Sequence, residues 1–529
     1  MDTLPDLCQR HIAHYLPPAS ITPLLFINKH WFNFTAALLY RNPFNTLKET
    51  CLRNFIDGDN FRERLYNLVD LLLSCCHQQY LISDIVQYRT RRLSTPTIDY
   101  LQLYTHQTTH AIEYLSREWR IQSPDRRTER YDLIRIALAT HKPECVTQLY
   151  MPMFYLDELF QRTRRPGFTR LQRLEVYNDH AVPRTEYLYR FFKELLTLTL
   201  GPTSQHELSE LALTMPVWAL KAEERVRPLD LNQWSCLRRL DLLSWQAEVD
   251  WRTLPVANLN DLRLNLSRMT KGFDPASFFR SCHKLQTLYV HGVSETTFSW
   301  IQQQPPDTAM PMLTTLEVGG ARNPLMLSLT CLLEACSTNL ESLAIVLQED
   351  GATRYIPENI HWTTDLPKLQ SLALKNKAIF EFNPAAMEHC PILRRLTLGV
   401  DAEKADPGCT ELMNPRFGKW YALLETMKLV GRYGQHLESM RFDGCWVFGG
   451  RVTLLATEPM KRLKSLYLSP GIGSVNAAVV CSLLKSMEGL RLLEAPVEPT
   501  DWNNSDELAD LLEARPDLEV RPTNFSARF

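Results

Sequence analysis

One apolar pattern recurs along most of this 529-residue chain: a leucine, a second leucine (methionine in one copy) three positions later, and a further apolar residue two positions after that. Nine of the eleven intervals between successive copies measure 22 to 29 residues, and the other two measure 42 and 44 residues. A unit this short cannot cover its own leucines, so neighbouring units must stack to share a core. Twelve copies begin at Leu171, Leu195, Leu237, Leu259, Leu285, Leu313, Leu340, Leu369, Leu393, Leu437, Leu463 and Leu490.

The pattern also predicts the shape of each unit. Alternate residues of a strand point to opposite faces, so the two inner leucine positions face the core while their neighbours face outwards. Each unit then returns on a helix or a loop, which predicts an α/β solenoid, or horseshoe, with a continuous core. Further matches begin at Val146 and Ile98. They place the start of this repeat domain near residue 96, so that it covers residues 96–529.

Leucine is so frequent here that about six such matches would arise by chance. The regular spacing, rather than the number of copies, therefore supports the repeat. The sets that begin at Leu68 and Leu208 match the leucine spacing but lie in helical contexts. We therefore expect them not to form repeats. We expect the two long intervals to contain a unit with a long helix or loop.

The residues that alternate with the buried leucines are the candidates for a binding surface. They combine charges of both signs with tyrosine, and tyrosine and arginine are common anchors of protein interfaces. The alternative is that most of them are merely solvated. The positions that we select as candidate contacts to a bound protein are Arg239, Asp241, Arg263, Tyr289, Glu317, Arg395, Arg441 and Tyr467. Other outward positions are Arg173, Glu175, Tyr177, His291, Lys375 and Asp443.

Several units carry a cysteine at a repeated place. Cys282 and Cys390 stand three residues before the first leucine of their units, and Cys236 and Cys336 lie close to that place. These units resemble cysteine-containing leucine-rich repeats, in which such a cysteine ends the helix. A packed thiol explains these residues without a metal.

Residues 47–95 are expected to form a helical linker. Leu65, Leu68, Val69, Leu72 and Leu73 share one face at helical spacing. The segment would join the repeats rigidly to the residues that precede it.

Residues 1–46 predict three short helices separated by turns, because the paired Pro17 and Pro18 must end a first helix and Pro23 suits the start of a second. Three helices in some forty residues cannot bury all their apolar side chains among themselves. Apolar surface is therefore left for a partner.

The same segment resembles an F-box. The resemblance lies in Leu4-Pro5, in Ile12 and Leu16, in Ile27-Asn28-Lys29-x-Trp31 and in Leu38-Leu39-Tyr40, with one departure, because Leu7 stands where the family usually has glutamate. It implies that residues 1–46 dock on a Skp-type adaptor, and through it on a cullin ubiquitin ligase, while the repeats capture a protein substrate. The residues that would contact the adaptor are Leu4, Pro5, Leu7, Ile12, Leu16, Leu24, Leu25 and Trp31.

The alternative is a scaffold without a ligase role. In that case the N-terminal helices would form a cap that seals the end of the solenoid, and the repeats would hold a protein partner. The cap and the F-box are not mutually exclusive.

Composition and the absence of known motifs argue against several classes of function. A net charge of −2 gives no general attraction to nucleic acid or to an anionic membrane, and no apolar run approaches the length of a membrane span. Thirteen cysteines without a framework of close spacings suit reduced thiols, and no secretory signal is recognised, so we expect the cytoplasm or the nucleus. The sequence contains no phosphate-binding loop, zinc-binding motif or catalytic nucleophile motif. We therefore expect no enzymatic activity, no bound metal and no cofactor.

Overall fold

The structure is a computed structural model of the chain. It describes residues 24, 29–54, 63–65, 67–69, 71–72, 100–108, 111–112, 114–115, 143–152, 168, 170–177, 207–214, 231, 234–245, 248–293, 297–303, 310–320, 322–347, 360–400, 430, 432–444, 462–469, 477–495 and 505–522. Two compact units are present, residues 1–258 and residues 259–529.

The first unit begins with helices and continues with parallel strands. Its helices include α1 (Lys29–Tyr40), α2 (Pro43–Asn54) and the single turn α3 (Tyr100–Leu103). Its strands, in the order in which they pair, are β1 (His106–Thr108), β2 (Gln148–Pro152), β3 (Arg173–Tyr177), β4 (Glu210–Leu213) and β5 (Arg239–Leu242). Short 3-10 turns cover Pro143–Cys145, Trp251–Thr253 and Val256–Asn258.

The second unit stacks parallel strands in sequence order. They are β6 (Asp261–Asn265), β7 (Thr287–His291), β8 (Thr315–Gly320), β9 (Ser342–Leu347), β10 (Ser371–Asn376), β11 (Arg395–Val400), β12 (Ser439–Gly444), β13 (Ser465–Leu468), β14 (Leu492–Ala495) and β15 (Glu519–Pro522). Its α-helices are α4 (Pro275–Arg280), α5 (Arg322–Cys336), α6 (Ala378–Glu381), α7 (Ala477–Ser486) and α8 (Asp506–Ala514). Further 3-10 helices cover Leu266–Arg268, Ser299–Gln303 and Pro384–His389.

The buried leucines explain why the strands stack in this way. In both compact units, the second apolar residue of each repeat pairs directly with that of the next repeat. Examples are Leu316 with Leu343 and Leu343 with Leu372. All three side chains are fully buried, and the residues on either side of them are exposed or half-buried in most strands. Both units are therefore built from leucine-rich repeats, as the spacing predicts.

A repeated backbone contact joins successive repeats. The carbonyl of Gln286, just before β7, accepts hydrogen bonds from Thr314 N at 2.9 Å and from Thr315 N at 3.0 Å in the next repeat. The same forked contact recurs along the second unit, at the carbonyls of Thr314, Glu341, Gln370, Arg394, Glu438 and Lys464. It satisfies two backbone amides at the point where each strand begins.

The N-terminal helices supply the same contact to the first strand. The carbonyl of Arg41, between α1 and α2, accepts hydrogen bonds from Thr105 N at 3.2 Å and His106 N at 2.8 Å. The ring of Phe44 in α2 lies 6.2 Å from that of the buried Tyr104. Residues 29–54 therefore cap the first strand of their unit and take the place that a preceding repeat would occupy.

A neutral histidine lies at this junction. Arg41 Nε donates a hydrogen bond to His106 Nε2 at 2.7 Å, and Thr105 Oγ1 lies 2.8 Å from His106 Nδ1. Burial and then the charge of Arg41 lower the pKa of His106 to about 4. The imidazole therefore stays uncharged at neutral pH, which leaves Nε2 free to accept from the guanidinium.

Several expectations about the first unit need correction. The set that begins at Leu208 is not helical: Glu210–Leu213 forms β4, and Leu211 pairs with Leu174 of β3. The letters alone cannot distinguish the two conformations, because only the neighbouring strand provides the pairing. The set that begins at Ile98 is not a strand, since Tyr100–Leu103 is the helical turn α3 and the strand follows at His106. The copy at Leu195 lies outside the described residues.

The helical linker is partly visible. Residues 63–65, 67–69 and 71–72 are helical. Of the five residues predicted to share one face, Leu65, Val69 and Leu72 are buried, Leu68 is half-buried and Leu73 lies outside the described residues. The boundary proposed between residues 46 and 47 falls inside α2, which runs without a break from Pro43 to Asn54.

Among the described residues, no helix combines the length and apolar character that a bilayer span needs.

Three of the four repeat cysteines, Cys282, Cys336 and Cys390, are buried as predicted. The thiols of Cys282, Cys336 and Cys390 hydrogen bond to the carbonyls four residues earlier, at 3.4, 2.9 and 3.7 Å. Burial raises the pKa of Cys282 and of Cys390 to about 12, so neither thiol is poised to react. Cys236, in contrast, is exposed.

Candidate functional site

Strands β6 to β13 present one continuous outward face, which we call the strand face. It consists of the residues that alternate with the buried leucines, in rows fixed by the strand register. One row runs through Arg263, Tyr289, Glu317, Ala344, Ala373, Thr397, Arg441 and Tyr467. Five of the eight candidate contacts predicted from the sequence lie in this row.

A buried carboxylate occupies the middle of the strand face. Glu317 Oε1 lies 3.0 Å from His291 Nε2, and Glu317 Oε2 accepts a hydrogen bond from Lys375 Nζ at 2.8 Å. The side chain of Glu317 is 6% exposed, whereas those of His291 and Lys375 are 15% and 33% exposed. These three residues, which we call the Glu317 bridge, link three strands, β7, β8 and β10.

The ionisation of Glu317 follows from its partners. Burial by itself would raise the pKa of the carboxyl group, but the hydrogen bonds from His291 and Lys375 and the charge of Lys375 hold it below its usual value. The side chain is therefore a carboxylate at neutral pH. Its charge is compensated by its neighbours rather than by water.

Small residues make room for the bridge. Lys375 lies in register with Val346 of β9 and Gly319 of β8, so its side chain crosses β9 diagonally to meet Glu317. The β9 residue in register with Glu317 is Ala344, which has only a methyl group. A Cβ atom on Gly319 would lie 2.4 Å from the ring of His291. A glycine is thus required for the imidazole to lie against β8.

Two pairs of arginine and tyrosine flank the centre of the face. The guanidinium of Arg263 lies 4.2 Å from the ring centre of Tyr289, and that of Arg441 lies 3.9 Å from the ring centre of Tyr467. Such a cation–π contact holds both side chains in place and keeps an aromatic edge available for packing.

Each of these arginines also has an acidic neighbour on its own strand. Arg263 Nε donates to Asp261 at 3.3 Å, and Arg441 Nε donates to Asp443 at 2.7 Å. The hydrogen bond to Asp443 raises the pKa of Arg441. Both guanidinium groups are therefore fixed and neutralised before any partner arrives.

Arg395 differs from the other cations of the strand face. It stands at the start of β11, is exposed, and makes no ion pair or side-chain hydrogen bond within the described part of the chain. In register beside it lie Ser371 on β10 and Ser439 on β12.

The two remaining candidate contacts belong to the first unit. Arg239 lies 3.8 Å from Glu210, which also pairs with Arg173 at 3.4 Å. Asp241 accepts a hydrogen bond from Leu243 N at 3.2 Å and so supports the turn after β5. The rings of Tyr150 and Tyr177 are stacked, with their centres 4.6 Å apart.

The predicted adaptor contacts are mostly outside the described residues: Leu4, Pro5, Leu7, Ile12, Leu16 and Leu25. Leu24 is half-buried. Trp31 is 2% exposed and packs edge-on to Phe34, with ring centres 6.2 Å apart. In this conformation its indole packs within the chain instead of lying open to a partner.

Sequence reasoning placed His291 and Lys375 on the outward face but did not select them as candidate contacts. Two signals could have drawn attention to them. The first is Gly319, which has no side chain and lies in register with Lys375 two strands away. The second is the pair Ala344 and Ala373, whose short side chains leave space on the strand face beside Glu317. Among the described residues, no group of three histidines, cysteines or acids is arranged to hold a metal ion.

No protein-family model matches the chain, and no curated protein matches its sequence. The solved structures that are similar to the chain include two of different origin. One is the crystal structure of the mouse RP105/MD-1 complex, at 13% identity and a TM-score of 0.27, over 73% of this chain and 61% of that one. The other is the leucine-rich repeat-containing protein LegL7 from Legionella pneumophila, at 14% identity and a TM-score of 0.21, over 48% of this chain and 97% of that one. This chain thus spans about three fifths of the first structure's length. Scores this low establish no relationship, and the repeat fold rests on the chain's own strands and register.

Proposed function

We propose that this chain is a non-enzymatic receptor that binds a protein partner through the strand face. The observation that carries the proposal is the pair of fixed arginine–tyrosine contacts, Arg263 with Tyr289 and Arg441 with Tyr467, on one outward surface. Arginine and tyrosine are enriched among residues that dominate binding energy. Side chains that are already immobilised lose little conformational entropy when a partner binds.

Affinity purification of the tagged full chain tests this function. We expect the variant Y289A/Y467A to lose at least one co-purifying protein by about tenfold or more, because two interface anchors are worth about 2 kcal/mol or more together. The measurement is quantitative mass spectrometry of wild type and variant purified in parallel.

A matched control changes an exposed residue away from the strand face. Lys485 lies on α7 and pairs with Glu507 of α8 at 2.7 Å, so K485A should leave the co-purifying proteins unchanged. Circular dichroism should show the same strand and helix content for all three chains. If every protein is recovered equally with Y289A/Y467A, the strand face is not the binding surface.

We infer further that the bound protein is a substrate of a cullin ubiquitin ligase, to which residues 1–46 connect the chain through a Skp-type adaptor. The support is the resemblance of residues 4–40 to an F-box. The hydrogen bonds to the carbonyl of Arg41 add a physical reason, because they fix the end of that segment to the first repeat. A rigid joint would hold a target lysine near the ubiquitin carrier, which makes an otherwise bimolecular transfer effectively intramolecular.

A pull-down with a purified Skp-type adaptor tests the ligase connection. We expect the wild-type chain to retain the adaptor and the variant L4A/P5A/L16A to lose it, since each buried apolar side chain contributes about 1.5 to 3 kcal/mol at most. The variant Y289A/Y467A serves as the control and should bind the adaptor normally. Equal retention by L4A/P5A/L16A would exclude the docking role.

The second candidate is a scaffold whose N-terminal helices serve as a cap and have no ligase role. It is favoured by the burial of Trp31 and by the way in which Arg41 completes the backbone contacts of β1. The same pull-down separates the two candidates. A scaffold would keep its co-purifying proteins and would bind no adaptor.

A further inference from the structure

The centre of the strand face is a shallow depression with a floor of short side chains. Ala344, Ala373 and Thr397 lie side by side on β9, β10 and β11. Larger side chains border them, Glu317 on β8 and Arg441 on β12. Four strand spacings separate the backbones of those borders, about 19 Å, and the side chain of Lys375 crosses β9 at the Glu317 end of this span. The remaining width of three strand spacings, about 14 Å, accommodates a single extended segment of a partner.

Hydroxyl groups line one end of the depression. In the row one step earlier along the strands, the residues are Ser342, Ser371, Arg395, Ser439 and Ser465. These five residues stand on five adjacent strands. None of the four serine hydroxyls makes a side-chain hydrogen bond within the described residues.

Among the charged side chains around the depression, one cation has no acidic partner within the described residues. Glu317 is occupied by His291 and Lys375, and Asp443 is occupied by Arg441. Both carboxylates that border the floor are thereby neutralised, whereas Arg395 has no acidic partner in the part of the chain that the structure describes. The depression as a whole therefore favours a negatively charged group.

We propose that this depression binds an acidic segment of the protein partner, with an aspartate or glutamate carboxylate on Arg395. The planar guanidinium can donate two parallel hydrogen bonds to a carboxylate, and the hydroxyls of Ser371 and Ser439 on either side can donate to the same group. The short side chains at 344, 373 and 397 let the backbone of the segment approach the sheet. This inference rests on the proposed function and names the chemistry of the partner.

The test measures binding of a fluorescein-labelled decaglutamate peptide to the full chain by fluorescence anisotropy at low ionic strength. We expect R395A to weaken binding about fivefold or more, because it removes the charge-assisted hydrogen bonds. The matched control is R173A, which removes an arginine from the equivalent position on β3, where the side chain is already paired with Glu175 and Glu210. It changes the net charge equally and should alter the affinity less than about twofold.

Two further peptides test other occupants: a decalysine, and a decamer whose only charged side chain is one phosphoserine. Arg395-dependent binding of decaglutamate supports the proposal. Three results overturn it: no binding of decaglutamate, equal losses in R395A and R173A, or an Arg395-dependent preference for the phosphoserine peptide or decalysine. If decaglutamate fails while Y289A/Y467A still loses its co-purifying protein, the strand-face function stands and only the acidic partner is rejected.

Discussion

Replacement of Glu317 by lysine is expected to lower the free energy of unfolding by about 2 to 4 kcal/mol. The substitution places a second ammonium group beside Lys375 and against His291, at a position where the native side chain is only 6% exposed. Lys375 is one third exposed and can swing into water, which relieves part of the repulsion. The measurement is a urea titration followed by circular dichroism, with wild type and variant compared at the same pH.

The control is the same charge reversal in the same row of the sheet. Glu494 on β14 pairs with Arg521 at 3.4 Å, but its side chain is 27% exposed. E494K should therefore cost no more than about 1 kcal/mol, as is usual for an ion pair near the surface. Equal losses for E317K and E494K would show that the burial of Glu317 and its two partners adds nothing to stability.

The pH dependence gives a second readout of the same group. Because the pKa of Glu317 is lower in the folded chain than in the unfolded chain, the carboxylate stabilises the fold at pH values above its unfolded pKa of about 4.3. That stabilisation is lost as the pH falls through the lower, folded pKa. The stability difference between wild type and E317Q should accordingly be constant above about pH 5 and shrink below about pH 4.

The repeat architecture could be predicted from the sequence because burial fixes the spacing of leucines. The copies from Leu259 to Leu463 all became strands with the expected residues inside. The set at Leu208 is an exception, because the same residues suit a helix and only pairing with β3 makes them a strand. The sequence allows a cap as an alternative, but it cannot predict the contact at Arg41, because that contact is made by a main-chain carbonyl and does not depend on the residue type.

The outward positions were predictable for the same reason, since alternation along a strand decides which side chains face the core. The Glu317 bridge was not. Lys375 lies 58 residues after Glu317 and crosses an intervening strand to reach it. The period of a strand does not determine the direction of a long side chain. The pairing of Lys375 with Glu317 therefore depends on the strand register and on the small residues Gly319 and Ala344. Whether any of these residues contacts a partner stays a prediction.

Replacement of Arg515 by alanine is expected to lower the free energy of unfolding by about 1.5 to 3 kcal/mol. The guanidinium donates to four carbonyls: Leu484 at 3.0 Å, Met487 at 3.4 Å, Glu488 at 2.9 Å and Leu490. Leu484 lies in the last turn of α7, where carbonyls lack partners within the helix, and Met487 and Glu488 follow the helix directly. Arg515 itself ends α8, so one side chain ties α8, α7 and the approach to β14 together.

Lysine at this position should recover only part of the loss. Its ammonium is a point charge with three donors, whereas the planar guanidinium carries five and reaches carbonyls on two sides at once. Arg491 provides the control, because its exposed side chain makes no hydrogen bond within the described residues, and R491A should shift the urea midpoint hardly at all. If R515K matches wild type, charge alone explains the effect of Arg515. If R515A matches R491A, water replaces the guanidinium at no cost and α8 is held by its apolar contacts, among them the buried Leu508.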